Sequence, residues 1–554
     1  MFRFSVVGVS LLAFACVDTA SPDPPAGALA SPFLTEIVLH DGPQPDWPDG
    51  TGLAPEIMGP GVAMADLDGD GLPDIVQLTM PEPGQMETIL ARVWLQDAGG
   101  GFRSAETLPA TGFAQGITIG DVDGDRRPDL FFANYGRDRL LLNKGGGRFT
   151  PAPGPAPWSG PFWSSSAAFC DFDGDDDLDL YVAHYLDYDP GKACFAPNGA
   201  VGYCSPEVFD GVLDHLYRND GQGKFNDISV SAGLLLPDRG KRAKGLGVAC
   251  ADLTGDGRLD FYVANDRESN QLWANDGAGR FVDEAVLRGA AVNRHGRPEA
   301  SMWIAIGDID GDQAIDLLLT HLEGENNTVY GGALPRFQDV TPRTGMATHD
   351  FALTGFGCAL IDLELDGDLD FLVVNGKVRR RASADSEGGG FWERYAESNQ
   401  VFENLGDGSF EEVSERERPW ARPREVTRGL AYGDLDNDGD TDVVVANADN
   451  ALRLYRNDAP RDGNHWIRVL ARTANGPALG ARVTVHARGR SWNGVIPSGS
   501  SYASANDPRL LFGLGAADAV ERVDVVWADG SQERFDGVAI NAEAVLVRGE
   551  GRPL

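Results

Sequence analysis

One acidic nonapeptide, D-x-D-x-D-x-x-x-D, recurs seven times along the 554 residues, and no other feature restricts the fold as much. Its copies begin at Asp66 (DLDGDGLPD), Asp121 (DVDGDRRPD), Asp171 (DFDGDDDLD), Asp252 (DLTGDGRLD), Asp308 (DIDGDQAID), Asp362 (DLELDGDLD) and Asp434 (DLDNDGDTD). The starts are 55, 50, 81, 56, 54 and 72 residues apart, so one unit repeats and two copies carry extra chain. A period of this size predicts a propeller or a solenoid.

The surroundings of each copy settle which. A short small-and-apolar segment precedes it (GVAMA, GITIG, GVACA, WIAIG, GLAYG), and a β-branched or aromatic run follows (LFFAN, LYVAH, FYVAN, LLLTH, VVVAN). A third segment ends in Asn (LLLN, LYRN, LWAN, VFEN), and a fourth opens at Phe149, Phe225, Phe281, Phe337 and Phe410. Four short strands with Gly- and Asn-rich turns make one propeller blade. The last unit stops after its third strand, near Asn457, and a matching fourth strand stands at the other end as Phe33–Ile37. Joining the two would close the ring and remove exposed sheet edges. The expected fold is all-β: a seven-bladed β-propeller closed by an N-terminal strand, followed by a small C-terminal β-sandwich-like domain.

The loops predict metal. Positions 1, 3, 5 and 9 are Asp66, Asp68, Asp70 and Asp74; Asp121, Asp123, Asp125 and Asp129; Asp171, Asp173, Asp175 and Asp179. They continue as Asp252, Thr254, Asp256 and Asp260; Asp308, Asp310, Asp312 and Asp316; Asp362, Glu364, Asp366 and Asp370; and Asp434, Asp436, Asp438 and Asp442. These positions hold 27 carboxylates, and without them the formal charge of −37 would be −10. Carboxylates ~5 Å apart repel by roughly 3 kcal/mol per pair at an effective dielectric near 20, so a compact loop needs a cation. All-oxygen donors favour Ca²⁺, with its six to eight flexible ligands, over Mg²⁺. Gly at position 4 or 6 permits the turn, and the position-7 carbonyl would complete the set. The expectation is about seven structural calcium ions, one per blade. Loops 4 (Thr254) and 6 (Glu364) are the variants, loop 4 being the weakest. Position 12 is Gln77, Phe132, Val182 or Val263 in the first four copies, where an EF-hand needs a bidentate Glu. Acidic turns solvated without metal are the alternative, and seven matched copies argue against it.

The first residues are an address. Residues 1–15 read as a signal peptide, with Arg3 ahead of an apolar run from Phe4 to Ala15 too short to span a membrane. Cys16 after Ala13-Phe14-Ala15 suggests lipidation, against plain secretion, and residues 16–30 read as a flexible tether. The domain plan is then a propeller over 31–460 and a β domain over 461–554. Membrane contact is expected only through the lipid anchor on Cys16. The acidity argues against nucleic acid as a partner.

Two blades carry insertions. Blade 3 adds about His184 to Asp214, where Cys194 and Cys204 predict a disulfide in an exported chain. Cys170, Cys250 and Cys358, in or beside the strands before calcium loops, read as buried free thiols. Blade 6 adds about Gly376 to Ser398, with Arg379-Arg380-Arg381 and Phe391-Trp392. That cluster would either grip an acidic glycan or pair with a neighbouring acidic loop.

The units resemble FG-GAP/VCBS repeats, as in integrin α-subunit propellers. From Gly463 onward, NHWIRV, GPALGARVTV, FGLG at Phe512–Gly515 and VDVVWADGSQERF resemble the ASPIC/UnbV domain. Together they are similar to the cartilage acidic protein family, bacterial-type. The resemblance implies an extracellular calcium-binding propeller linked to adhesion, without catalysis. Lys377 stands where the resemblance leads one to expect His. Among eight His there is no H-E-x-x-H, and neither a G-x-S-x-G elbow nor a nucleotide-binding Gly loop is present. The reading is an exported, non-enzymatic scaffold at the cell surface or secreted, binding an extracellular or envelope protein or glycan. The alternative is a carbohydrate lyase or hydrolase with its site on the propeller face. The tail is either a binding module or packing for the propeller.

Overall fold

The computed structural model describes residues 32–37, 53–80, 89–110, 113–154, 156–158, 160, 162–195, 201–234, 243–332, 336–379, 390–449, 451–499 and 501–554. The signal peptide, Cys16, the tether, Arg380 and Arg381 lie outside them. Residues Pro32–Leu554 form one compact unit. It is all-β, with short helices at Ala54–Met58, Ala285–Arg288 and Arg418–Ala421.

Each repeat is an antiparallel sheet whose strands pair in chain order. In repeat 4 these are Gly245–Ala251, Asp260–Asn265, Gln271–Asn275 and Phe281–Asp283. Repeats 1, 5 and 6 have the same order, starting from Val62–Ala65, Trp303–Gly307 and Gly355–Ile361. Repeats 2 and 3 share one sheet because Phe162 and Trp163 pair with Gly136 and Tyr135. Repeat 7 supplies Thr427–Gly433, Asp442–Asn447 and Leu452–Asn457, and its fourth strand is Leu34–Ile37, antiparallel with Leu34 opposite Asn457. That N-terminal strand is held at its start. The Glu417 carboxylate accepts the N–H groups of Phe33 (2.9 Å) and Leu34 (3.1 Å), and the Arg416 guanidinium lies 4.0 Å from the Phe33 ring centroid.

First strands are buried on both faces, hence their run of small residues. Each lies against the first strand of the next repeat, and Thr427–Gly433 lies against Val62–Ala65. At that last junction a Cβ on Gly429 would sit 2.9 Å from the Gly61 Cα, so only glycine allows the approach.

This side-by-side packing corrects one expectation. Cys170 and Cys250 are not free thiols; they form a disulfide between the first strands of repeats 3 and 4, with Cα atoms 6.4 Å apart. Judged singly, each looked like an ordinary buried Cys, and the partner 80 residues away is visible only once neighbouring first strands are adjacent. Cys194–Cys204 is bonded as expected, and Cys358 is free and buried. The two insertions also meet: Tyr203 lies 6.5 Å from the Phe391 ring and 5.7 Å from the Tyr395 ring.

The C-terminal region has two sheets. One orders Leu510–Gly515, His465–Arg472 and Glu543–Val547; the other orders Arg490–Val495, Arg482–Ala487, Arg522–Val526, Gln532–Phe535 and Arg552–Pro553. The connection around Ser498–Asp507 leaves these sheets and runs among the first strands of the repeats. Ser498 Oγ donates to Phe169 O. Ala503 O accepts Ile117 N–H (3.0 Å) and Ala505 O accepts Met64 N–H (3.0 Å), while Asp507 N–H donates to Tyr432 O (3.1 Å). Tyr502 is fully buried, its ring 4.9 Å from Phe356 and 6.1 Å from Trp303. Of the two readings of this region, packing against the repeats is visible directly.

Candidate metal centres

All seven nonapeptides adopt one turn. The residues at positions 4 and 6 have positive φ in every copy: Gly69 and Gly71, Gly124 and Arg126, Gly174 and Asp176, Gly255 and Gly257, Gly311 and Gln313, Leu365 and Gly367, Asn437 and Gly439. Loops 1 and 4 meet that demand with two glycines; Arg126, Asp176, Gln313, Leu365 and Asn437 meet it at a steric cost that the rest of the turn must offset.

Backbone amides do that work. The position-1 carboxylate accepts the position-6 N–H, as Asp66 Oδ2 from Gly71 (3.0 Å) and Asp308 Oδ2 from Gln313 (3.0 Å). Position 5 accepts the position-7 N–H in every loop, from Asp70 and Leu72 (2.9 Å) to Asp438 and Asp440 (3.3 Å). Position 9 is shared between strands: Asp260 Oδ2 accepts Leu253 N–H (3.0 Å) and its Oδ1 accepts Asn275 N–H (2.9 Å). The turn therefore gathers the carboxylates with donors to spare on only some oxygens.

What is left over faces inward. Carboxylate oxygens of Asp66, Asp68 and Asp70 lie within 4.8 Å of one another, as do those of Asp121, Asp123 and Asp129; Asp171, Asp173 and Asp179; Asp308, Asp310 and Asp316; and Asp362, Glu364 and Asp370. Within these groups Asp68 Oδ1, Asp123 Oδ1, Asp179 Oδ2, Asp308 Oδ1, Asp316 Oδ1 and Glu364 Oε2 are buried and have no hydrogen-bond partner. Thr254 Oγ1 is in the same condition in loop 4. A buried, unpaired carboxylate oxygen is expensive, and burial pushes Asp74, Asp129, Asp171, Asp260 and Asp316 up to about 7. The donor set is hard oxygen throughout, so a divalent cation of the calcium type fits these sites chemically.

In loops 1, 2, 3, 5 and 6 the structure gathers three of the four acids that the sequence singled out. The sequence reading did not explain the Asn that ends the third strand. Asn143 Nδ2 donates to Leu67 O (2.9 Å), Asn219 to Val122 O (2.9 Å), Asn275 to Phe172 O (2.9 Å), Asn404 to Ile309 O (2.9 Å) and Asn457 to Leu363 O (2.9 Å). Each acceptor is the position-2 carbonyl of the preceding repeat's loop, so this Asn stitches one acidic loop to the next repeat. The signal was the Asn itself, recurring at one offset. Lys377, the departure from the expected His, is buried and pairs with Glu323 and Glu397.

The C-terminal region lies over these loops. Asn493 Nδ2 donates to Gln313 O (3.0 Å), Asn464 Nδ2 to Glu364 O (3.0 Å) and Asn475 Nδ2 to Asp176 O (3.0 Å). A cavity of about 640 Å³ remains between loops 1 and 2 and this region, lined among others by Asp66, Asp121, Leu470, Arg472 and Arg509.

Residues 66–132, 121–182, 252–319 and 389–445 match the FG-GAP-like repeat, and residues 471–553 match the ASPIC and UnbV domain. The chain is an FG-GAP repeat protein ending in an ASPIC and UnbV domain, and belongs with the cartilage acidic protein family. Cartilage acidic protein 1 of Mus musculus is 24% identical over 507 residues, covering 85% of this chain and 70% of the relative. The Homo sapiens protein of that name is 24% identical over 507 residues, covering 85% and 69%. Among solved structures, the BP39L lectin from Burkholderia pseudomallei overlaps with TM-score 0.45 at 13% identity, over 73% of this chain and 97% of that one. An Agrocybe aegerita lectin, described with non-reducing terminal N-acetylglucosamine, overlaps with TM-score 0.39 at 17% identity, over 72% and 92%.

Proposed function

We propose that this chain is an exported, calcium-stapled β-propeller of seven blades, closed by Leu34–Ile37, that serves as a binding scaffold for an extracellular or envelope protein or glycan and has no catalytic role. The observation that carries the calcium reading is the set of buried, partnerless loop oxygens, at Asp68, Asp123, Asp179, Asp308, Asp316 and Glu364. Calcium in these loops would neutralise the acids that the turn holds together. The ring is supported by the strand pairing of Leu34 with Asn457 and by the run of neighbouring first strands. Export is supported by the two disulfides, which persist in oxidising compartments. Within that reading Cys16 is the attachment point of a lipid anchor.

Binding then falls to the surfaces that the C-terminal region leaves open. The face with the two insertions carries Tyr203, Phe391, Trp392 and Tyr395 in contact, and the exposed Arg379 lines one pocket with Tyr203. Aromatic faces beside a cation suit a sugar or a peptide. The test of the metal reading is elemental analysis of the mature protein after dialysis against millimolar calcium. Several ions per chain are expected, and a ratio near zero would sink the scaffold as described.

A further inference from the structure

Loop 7 differs from the other six. Loops 1 to 6 each keep at least one buried, partnerless oxygen among positions 1, 3, 5 and 9; among the described residues, Asp434, Asp436, Asp438 and Asp442 keep none, and the partnerless oxygen of loop 7 is Asp440 Oδ1 at position 7, whose Oδ2 pairs with Arg461. The reason is a cation already in place. Asp434 Oδ2 accepts Gly439 N–H (2.9 Å), as position 1 does elsewhere, and in addition accepts Arg468 Nη1. Both side chains are buried, 8% exposed for Arg468 and 1% for Asp434. Arg468 Nε donates to Glu543 Oε2 (2.9 Å), which fixes the guanidinium from its other side.

Cations touch the ligand positions of other loops differently. Arg103 at Asp68, Lys144 at Asp123, Arg218 at Asp173 and Arg258 at Asp256 are 60%, 40%, 52% and 42% exposed and can swing into water when an ion binds. Arg468 cannot. It sits on the strand His465–Arg472, and Trp466, on the same face two residues earlier, covers Gly439 so closely that a Cβ there would overlap the indole. Two more arginines of the C-terminal region close round the loop: Arg509 Nη1 donates to Asn437 Oδ1 (2.9 Å), and Arg461 Nη2 donates to Asp438 O (2.7 Å). A divalent ion beside a fixed guanidinium would be repelled in a setting where water screens little.

We propose that Arg468 takes the place of the seventh cation: loop 7 is closed by a guanidinium of the C-terminal region and holds no metal. The inference rests on the calcium reading of loops 1 to 6 and lowers the expected ratio by one. It also makes the strand His465–Arg472 a latch on the repeat that the N-terminal strand completes.

The test is calcium per full-length chain, by elemental analysis, in the wild type and three variants. Asp308→Asn should lose one ion, Asp434→Asn should lose none, and Arg468→Gln should gain one. A loss of one ion in Asp434→Asn would overturn the proposal, as would a folded Arg468→Gln that gains none. If Arg468→Gln does not fold, the contrast between Asp434→Asn and Asp308→Asn decides alone. A wild type without calcium is a separate failure, because it removes the metal reading for every loop and this inference with it.

Discussion

The repeats and the C-terminal region reach the same buried state by different routes. In the repeats each stabilising contact is made several times over: the position-5 carboxylate accepts the position-7 N–H in all seven loops, and the Asn stitch recurs in five. In the C-terminal region most contacts are made once, the donation of an Asn amide to a position-6 carbonyl, from Asn475 and Asn493, being made twice. Ser498–Asp507 touches first strands of different repeats through different atoms, and Tyr502 packs against both Phe356 and Trp303. Redundant contacts degrade gradually and singular ones fail outright, so perturbing the two should give different signatures.

The largest effect is expected from removing calcium. With site constants of ~10⁻⁴–10⁻³ M in millimolar calcium, six sites would contribute roughly 3–8 kcal/mol by mass action, comparable with the whole stability of an ordinary domain. Excess chelator should therefore lower the melting temperature by several degrees in calorimetry, at roughly one degree per kcal/mol for a cooperative unit of this length. A melt that ignores chelator would mean that the loops are stable acidic turns.

Tyr502→Ala comes next. Emptying a fully buried aromatic site costs about 3–5 kcal/mol, and here the cavity would open where several repeats meet. The expected result is a lower melting temperature in calcium together with early proteolysis near residue 500. Tyr502→Phe should restore most of the loss. An alanine variant that melts like the wild type would show that the C-terminal segment is not held among the first strands.

That contrast also explains which parts of the molecule could be read without coordinates. The acidic loops were legible because a period multiplies evidence: one D-x-D-x-D is weak, and seven with the same flanking strands fix both the repeat and its acids. Leu34–Ile37 was legible for the same reason, as the one strand missing from the last unit. The Cys170–Cys250 pair was not, because its two members sit in different repeats and nothing local distinguishes Cys170 from the free Cys358. Tyr502 and Arg468 were not legible either. Each belongs to a single-copy contact between the C-terminal region and the repeats, and neither has a recurring spacing to give it away.

The Asn stitch sharpens the comparison at a smaller scale. Asn275→Ala would leave the Phe172 and Leu259 carbonyls without their Nδ2 donor, at about 1–3 kcal/mol. Asn143→Ala and Asn404→Ala should cost similar amounts, because each makes the same bond in its own repeat. Denaturant melts of the three, in calcium, measure this directly. Values that scatter by more than their mean would show that the repeats are alike in sequence and unlike in energy.

The smallest effect on the global melt should come from the blade 3 insertion, where Cys194 and Cys204 are 10 residues apart in a hairpin that pairs with no repeat strand. Closing so short a loop restrains the unfolded chain by about 2–3 kcal/mol at most. The bridge also ties a two-residue hairpin, Cys194–Phe195 with Val201–Gly202, that shares no sheet with the repeats. Replacing both cysteines by serine should therefore leave the calcium-dependent melt within a few degrees of the wild type. Proteolysis should meanwhile move to the insertion, and Tyr203 should lose its hold on Phe391 and Tyr395. If the whole melt fell with the bridge, the insertion would be part of the ring's stability, and the insertion face would be structural and not a surface left free for a partner.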